Sequence, residues 1–228
     1  MDALTRQGWR PVRLYHDGNQ TMVDWARLGD APLRAPFYQE SLKPLLSLPF
    51  LCQTRIDSIP ATLPYLAADP ANAEAWAARL RDPAGPSVLN VGLVWKGNPR
   101  FENDADRSLP DLGVFAPLGD VAGVRFFSLQ KGAGEDEAAH PPASLSISNL
   151  APDIADFSDT AAIVANLDLV ISVDTAVAHL AGALGKPCWI LLPDYKTDWR
   201  WLDARSDSPW YPGVVRLFRQ RVMGDWAE

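Results

Sequence analysis

Cysteine and histidine are scarce in this chain, two and three among 228 residues. Cys52 and Cys188 stand far apart and lack metal-ligand spacing. Neither a disulfide framework nor a metal site is therefore expected, and both read as buried thiols of a reducing compartment. Basic residues are also short: 21 Lys and Arg face 28 Asp and Glu, for a net charge of −7. That balance excludes non-specific nucleic-acid binding but leaves room for a local phosphate pocket. No apolar run approaches the ~20 residues of a membrane span, and Met1–Arg10 has no signal-peptide core. The expectation is a cytoplasmic protein without a membrane span. What the chain does have is a hydrophobic fraction of 47%. A chain of this length buries roughly three quarters of its unfolded surface and needs no staples.

Two textures divide it. Residues 1–69 are irregular and proline-punctuated, notably over Ile59–Pro64; they read as a short, incomplete N-terminal α/β region. Within it Val12–Tyr15 suggests a strand, Asn19–Leu28 a helix and Leu45–Cys52 a strand or turn. From residue 70 to 228 helices and strands alternate. Ala71–Leu80 is a helix with Trp76 and Leu80 on one face. Val88–Trp95 is a continuous apolar run, as in a strand covered on both faces. Asp111–Leu118 reads as a short helix, Val124–Leu129 and Ser146–Leu150 as strands, and Asp159–Asn166 as a helix capped by Ser158 or Asp159. Leu169–Val173 is a strand, Thr175–Leu184 a helix closed by Gly185, and Cys188–Leu192 and Val214–Phe218 are strands. This alternation predicts a doubly wound parallel α/β sheet.

The segment Ser172-Val173-Asp174-Thr175-Ala176-Val177-Ala178-His179 carries the chemistry. A buried strand stops and a helix begins, at the edge of a parallel sheet where ligands bind. The first amides of that helix have no intrahelical acceptor and, with the helix dipole, form an anion site. Ala176 is small enough to admit a phosphate. His179, one turn on, either reaches a phosphate or sugar hydroxyl or packs against a neighbouring loop. Asp174 either caps the helix or faces a sugar or ribose hydroxyl. Lys96, after the Val88–Trp95 strand, offers a point charge for a diphosphate or is an ordinary loop lysine. Arg100 and Arg107 follow it, and Asn103–Ser108 either joins the site or caps the next helix. Gln130 and Lys131, after Val124–Leu129, are placed to reach a base, ribose or phosphate, the nucleoside side of a donor. Gly132-Ala133-Gly134 lacks the third glycine of a dinucleotide loop and reads as a turn, which argues against a nicotinamide oxidoreductase. Arg200 is a further candidate for a phosphate or carboxylate.

Taken in order, several motifs resemble the bacterial heptosyltransferase-like glycosyltransferases. They are Val91-Gly92-Leu93-Val94-Trp95-x-Gly97-Asn98-Pro99, Phe126-x-Ser128-Leu129-Gln130-Lys131-Gly132, Asp156-Phe157-x-Asp159-Thr160, Ser172–Gly185, Asp198-Trp199-Arg200-Trp201 and Asp207–Pro212. The resemblance spans roughly residues 58–226 and includes a group often fused to tetratricopeptide repeats. It implies a GT-B fold, of which this stretch is the Rossmann-like donor-binding domain. It also implies transfer of a hexosyl, heptosyl or N-acetylhexosaminyl group from a nucleotide-diphosphate sugar to a saccharide or protein acceptor, inverting, without metal or other cofactor. The resemblance places Asp174, Thr175 and His179 in the donor site and the diphosphate at the helix start with Ala176; Lys96, Gln130 and Lys131 join them from the reading of the residues, Lys96 standing where the family has a small residue. The family's amino-terminal strand, Gly-Leu-Gly-Asp-like turn and helix, which often supplies the catalytic base, is not found in residues 1–57. That departure leaves a second reading open, a nucleotide-sugar-binding module without transfer activity. His16 and Asp17 are the base-like pair near the amino end, and no catalytic role is assigned to them.

Overall fold

The computed structural model describes residues 9–17, 20–27, 43–44, 48–81 and 88–226. The chain divides into two compact units, Met1–Pro60 and Ala61–Glu228. The division falls within the proline-punctuated segment, earlier than the 69/70 boundary read from sequence.

The first unit holds an antiparallel three-stranded sheet, β1 (Trp9–Asp17), β2 (Gln20–Arg27) and β3 (Lys43–Pro44), in that order. The helix expected over Asn19–Leu28 is corrected to a strand. Thr21, Val23 and Trp25 favour extended backbone, and β2 pairs antiparallel with β1 in a register that runs from Trp9↔Arg27 to Asp17↔Gln20. Leu48–Leu51 forms a single helical turn, α1, where a strand or turn was expected; residues 45–47 lie outside the described residues. Cys52 is half-buried, not buried as expected.

The second unit opens with α2 (Pro70–Leu80), whose N-cap Asp69 accepts a hydrogen bond from the Asn72 amide and whose first residue is proline. The strands that follow are β4 (Leu89–Val94), β5 (Val124–Ser128), β6 (Ile147–Asn149), β7 (Leu169–Val173), β8 (Cys188–Leu192) and β9 (Val215–Arg219). Between them lie α3 (Asp104–Arg107), α4 (Phe157–Ala165) and α5 (Ala176–Ala183), with the expected 111–118 helix realised as a tighter 3-10 segment over Leu112–Asp120. The sheet order is β6-β5-β4-β7-β8-β9, every neighbouring pair parallel. Counted within this sheet it is 3-2-1-4-5-6, the doubly wound order, with its switch point between β4 and β7.

Both faces are covered, which is why the strands read as apolar runs. On one face Val94, Val170, Ile190 and Leu217 meet α2, α4 and α5. On the other, Val91, Leu93, Trp95 and Ile171 pack on Leu112, Phe115 and Leu145. Gly92 is required by close approach: a Cβ there would lie 2.6 Å from Leu167 Cδ1 and 2.8 Å from Leu129 Cδ1. The cap of α4 is Asp156, not Ser158 or Asp159. Its carboxylate accepts from the Ser158 and Asp159 amides. Asp159 instead joins α4 to α2, accepting from Asn72 Nδ2 at 3.0 Å and from the Ala155 amide at 2.9 Å. Those bonds, the Ala155 one foremost, hold its carboxyl below the usual range. Gly185, at φ 69°, closes α5, and the carbonyl of Ala183, the last residue of that helix, accepts from the Tyr65 and Leu66 amides. Cys188 is buried, and burial pushes its thiol up. Among the described residues no helix is long and apolar enough to cross a membrane.

Candidate functional site

A cavity of about 1180 Å³ opens at the carboxyl ends of β4, β5, β7 and β8, across the switch point. All seven residues singled out from sequence line it: Lys96, Gln130, Lys131, Asp174, Thr175, Ala176 and His179. They converge because each follows a strand of one parallel sheet, so their loops share an edge.

At its centre is the start of α5. Thr175 is the N-cap residue, extended at φ −137° and ψ 169°, but its side chain makes no cap hydrogen bond. The Ser172 hydroxyl donates to Val173 O at 2.7 Å. Its one proton is thereby used, so in the 2.9 Å contact between the two hydroxyls Thr175 is the donor. The Thr175 hydroxyl is thus turned inward. The Ala176 and Val177 amides have no acceptor among the described residues, and Ala176 is exposed to the cleft. The anion-binding capacity lies in these amides and the helix dipole.

Asp174 and His179 form a half-buried polar pair flanked by aromatics. His179 Nε2 lies 3.8 Å from Asp174 Oδ1, and Nδ1 shares a 2.9 Å hydrogen bond with the Tyr211 hydroxyl. The imidazole stacks on Trp201 at 4.9 Å and 15°. Gly182 makes room for this arrangement, since a Cβ there would come within 2.5 Å of Tyr211 Cδ1. His179 is packed, yet its side chain remains 34% exposed beside the cleft. Burial raises the Asp174 pKa, opposed in part by Trp201, His179 and Arg107. Burial lowers that of His179, aided by Arg200 and opposed by Asp174 and Asp198. A lowered pKa favours the neutral imidazole at neutral pH, suited to hydrogen bonding and not to charge pairing.

Two expectations are corrected by their partners. Gln130, 1% exposed, spends its amide on the chain. Oε1 accepts from the Trp95 and Lys96 amides, each at 2.9 Å, and Nε2 donates to Lys96 O at 3.1 Å and Ala133 O at 2.9 Å. It clasps two cleft loops together and has nothing left for a nucleoside. Lys96 is not a free point charge: Nζ donates to Pro110 O at 2.6 Å and pairs with Glu137 at 3.3 Å. Lys131 donates to Ala151 O at 2.7 Å and pairs with Glu135 at 3.2 Å, its side chain still half exposed. Arg107 bridges loop to helix, donating to Asp174 O at 3.1 Å, pairing with Asp104 and lying over Phe101. Arg200 pairs with Asp198 of its own chain. His16 and Asp17 lie at the end of β1, outside the residues whose side chains are described.

The sequence reading missed Phe157, Lys196 and Thr197, which also line the cavity. The signal was available for the last two: they follow β8, the next parallel strand, whose carboxyl end must reach the same edge.

The fold and site together define a doubly wound α/β domain with a ligand cleft at its switch point. Residues 119–191 match the model of glycosyltransferase family 9 (heptosyltransferase); the match takes in β5 through most of β8, including the start of α5. The chain is 31% identical over 206 residues to protein FlbA of Caulobacter vibrioides, covering 89% of this chain and 30% of that protein. Among solved structures it is similar to the E. coli ADP-heptose lps heptosyltransferase II (TM-score 0.48, 16% identity, 74% of this chain and 49% of that one). It is also similar to a family 9 glycosyl transferase from Veillonella parvula (TM-score 0.48, 13% identity, 86% and 51%). The chain therefore spans about half the length of these structures and less than a third of FlbA.

Proposed function

We propose that this cleft binds the nucleotide-diphosphate sugar donor of a glycosyltransferase. The observation that carries the reading is the start of α5: two unpaired amides open to a switch-point cleft, within the stretch matched to glycosyltransferase family 9. The donor diphosphate lies against Thr175, Ala176 and Val177, where helix dipole and amides meet developing negative charge. Lys96, paired with Glu137, and Arg107, paired with Asp104, hold the β4 loop at the edge of the cleft. Lys131 marks the nucleoside end, with Gln130 shaping the loops beneath it. Asp174 and His179 face the sugar end as hydrogen-bonding groups.

The expected chemistry is a single inverting displacement at the anomeric carbon without a metal, in which this domain stabilises the departing diphosphate. The acceptor, a saccharide or protein, and the base that deprotonates it are supplied outside this cleft. The test is a calorimetric screen of UDP, GDP, ADP and CMP with their sugar conjugates, and NAD as a control. Saturable binding of one nucleoside diphosphate supports the reading; a folded sample that binds none, or binds NAD instead, overturns it.

A further inference from the structure

Beyond β8 the chain makes a tight turn whose two indoles point to different tasks. Residues Trp199–Trp201 form a single 3-10 turn capped by Asp198, whose carboxylate accepts from the Arg200 amide at 2.9 Å. Trp201 is fully buried and stacks under His179. Trp199, two residues earlier, is 52% exposed and lines the cleft beside Thr197 and Asp198. Trp199 therefore presents apolar ring area to the cleft.

The ring is also held in place. Trp210 meets it edge-on at 5.8 Å and 81°, and the Arg200 guanidinium lies over it at 4.7 Å while pairing with Asp198. From below, Arg219 donates to the Trp201 carbonyl at 2.8 Å and also to that of Leu202. Leu202 adopts φ 54°, a left-handed conformation that costs a non-glycine residue free energy and is kept where the surroundings fix it. The Thr197 hydroxyl donates to Pro193 O at 2.7 Å and the Asp198 carboxylate accepts from Arg200, so both groups are left as acceptors; an aromatic face beside two acceptors matches a sugar ring, which offers C–H bonds on its faces and hydroxyl donors at its edge. Asp198 also bears electrostatically on both Asp174 and His179, so the platform adjoins the start of α5.

We infer that Trp199 is the platform on which the donor's sugar ring rests, with Asp198 and Thr197 facing its hydroxyls. This rests on the donor-site reading above and deepens it: Trp199 is a specificity residue for the sugar and does not touch the nucleoside diphosphate. The experiment compares UDP, GDP and ADP with UDP-N-acetylglucosamine, GDP-mannose and ADP-glucose by calorimetry, on wild type, Trp199→Ala, Trp199→Leu and Trp199→Phe. Thermal unfolding checks each variant, and the leucine and phenylalanine variants keep bulk at the rim should the alanine fail to fold. For the base that binds, Trp199→Ala and Trp199→Leu are expected to weaken the sugar conjugate about three- to tenfold and leave the free diphosphate unchanged, with Trp199→Phe restoring most of the loss. Equal weakening of diphosphate and conjugate, or no change in either, overturns the platform while the donor site stands. A wild-type chain that binds neither overturns both.

Discussion

Replacing Ala176 with glutamate sets two effects of the α5 terminus against each other. Ala176 is the first residue of α5, exposed to the cleft, and its amide is unpaired among the described residues. A carboxylate at a helix N-terminus stabilises the helix by about 0.3–1 kcal/mol, which for a domain of this size raises Tm by ~1–4 °C. The same carboxylate about 4 Å from a bound phosphate repels it by about 4 kcal/mol at an effective dielectric near 20, and by about 1 kcal/mol in bulk water. The cleft lies between these limits, so a loss of about 2 kcal/mol, roughly 30-fold in Kd, is expected. Calorimetry with the nucleoside diphosphate that wild type binds, run beside thermal unfolding, reads both signs. Unchanged affinity in a stably folded Ala176→Glu variant would refute the placement of the diphosphate at α5.

Gln130→Ala removes five side-chain hydrogen bonds, three of them to Trp95 and Lys96 of the β4 loop, and leaves buried amides unpaired. A loss of about 2–4 kcal/mol is expected in urea unfolding, with weakened binding secondary to loosened loops. Burial raises Asp174, so the folded state resists its ionisation and is penalised above its folded pKa. Asp174→Asn therefore unfolds at higher urea near pH 7, and the gain closes as pH falls toward about 3.9, the unfolded value. Burial lowers His179, so the unfolded chain binds its proton first and stability falls as pH drops below about 6.5. His179→Gln should flatten that slope between pH 7.5 and 5; a slope equal to wild type would remove His179 as its source.

The strands of the second unit were legible because burial on both faces writes them as uninterrupted apolar runs, Val88–Trp95 and Leu169–Val173 above all. Their order was not legible. The pairing of β4 with β7, Val91↔Leu169 onward, joins residues far apart in sequence and leaves no local trace. The strand over Gln20–Arg27 was misread as a helix because its alternation of Thr21, Val23 and Trp25 is short and weak. The site residues gathered as expected, since strand ends of one parallel sheet share an edge. Their side-chain partners were hidden for a physical reason. Gln130 is claimed by amides and carbonyls of Trp95, Lys96 and Ala133, and Lys96 by Glu137; only the folded loops bring these groups within reach. The inward turn of the Thr175 hydroxyl toward Ser172 was hidden in the same way, while the amides that follow it remain open.

The amide ¹H–¹⁵N correlation spectrum of the full chain, titrated with UDP, GDP and ADP, tests the central claim most directly. With the diphosphate that binds, the Ala176 and Val177 amide resonances are predicted to shift farthest downfield, as new phosphate acceptors replace water. Saturation that leaves those two resonances in place, or no shift with any of the three, would contradict it.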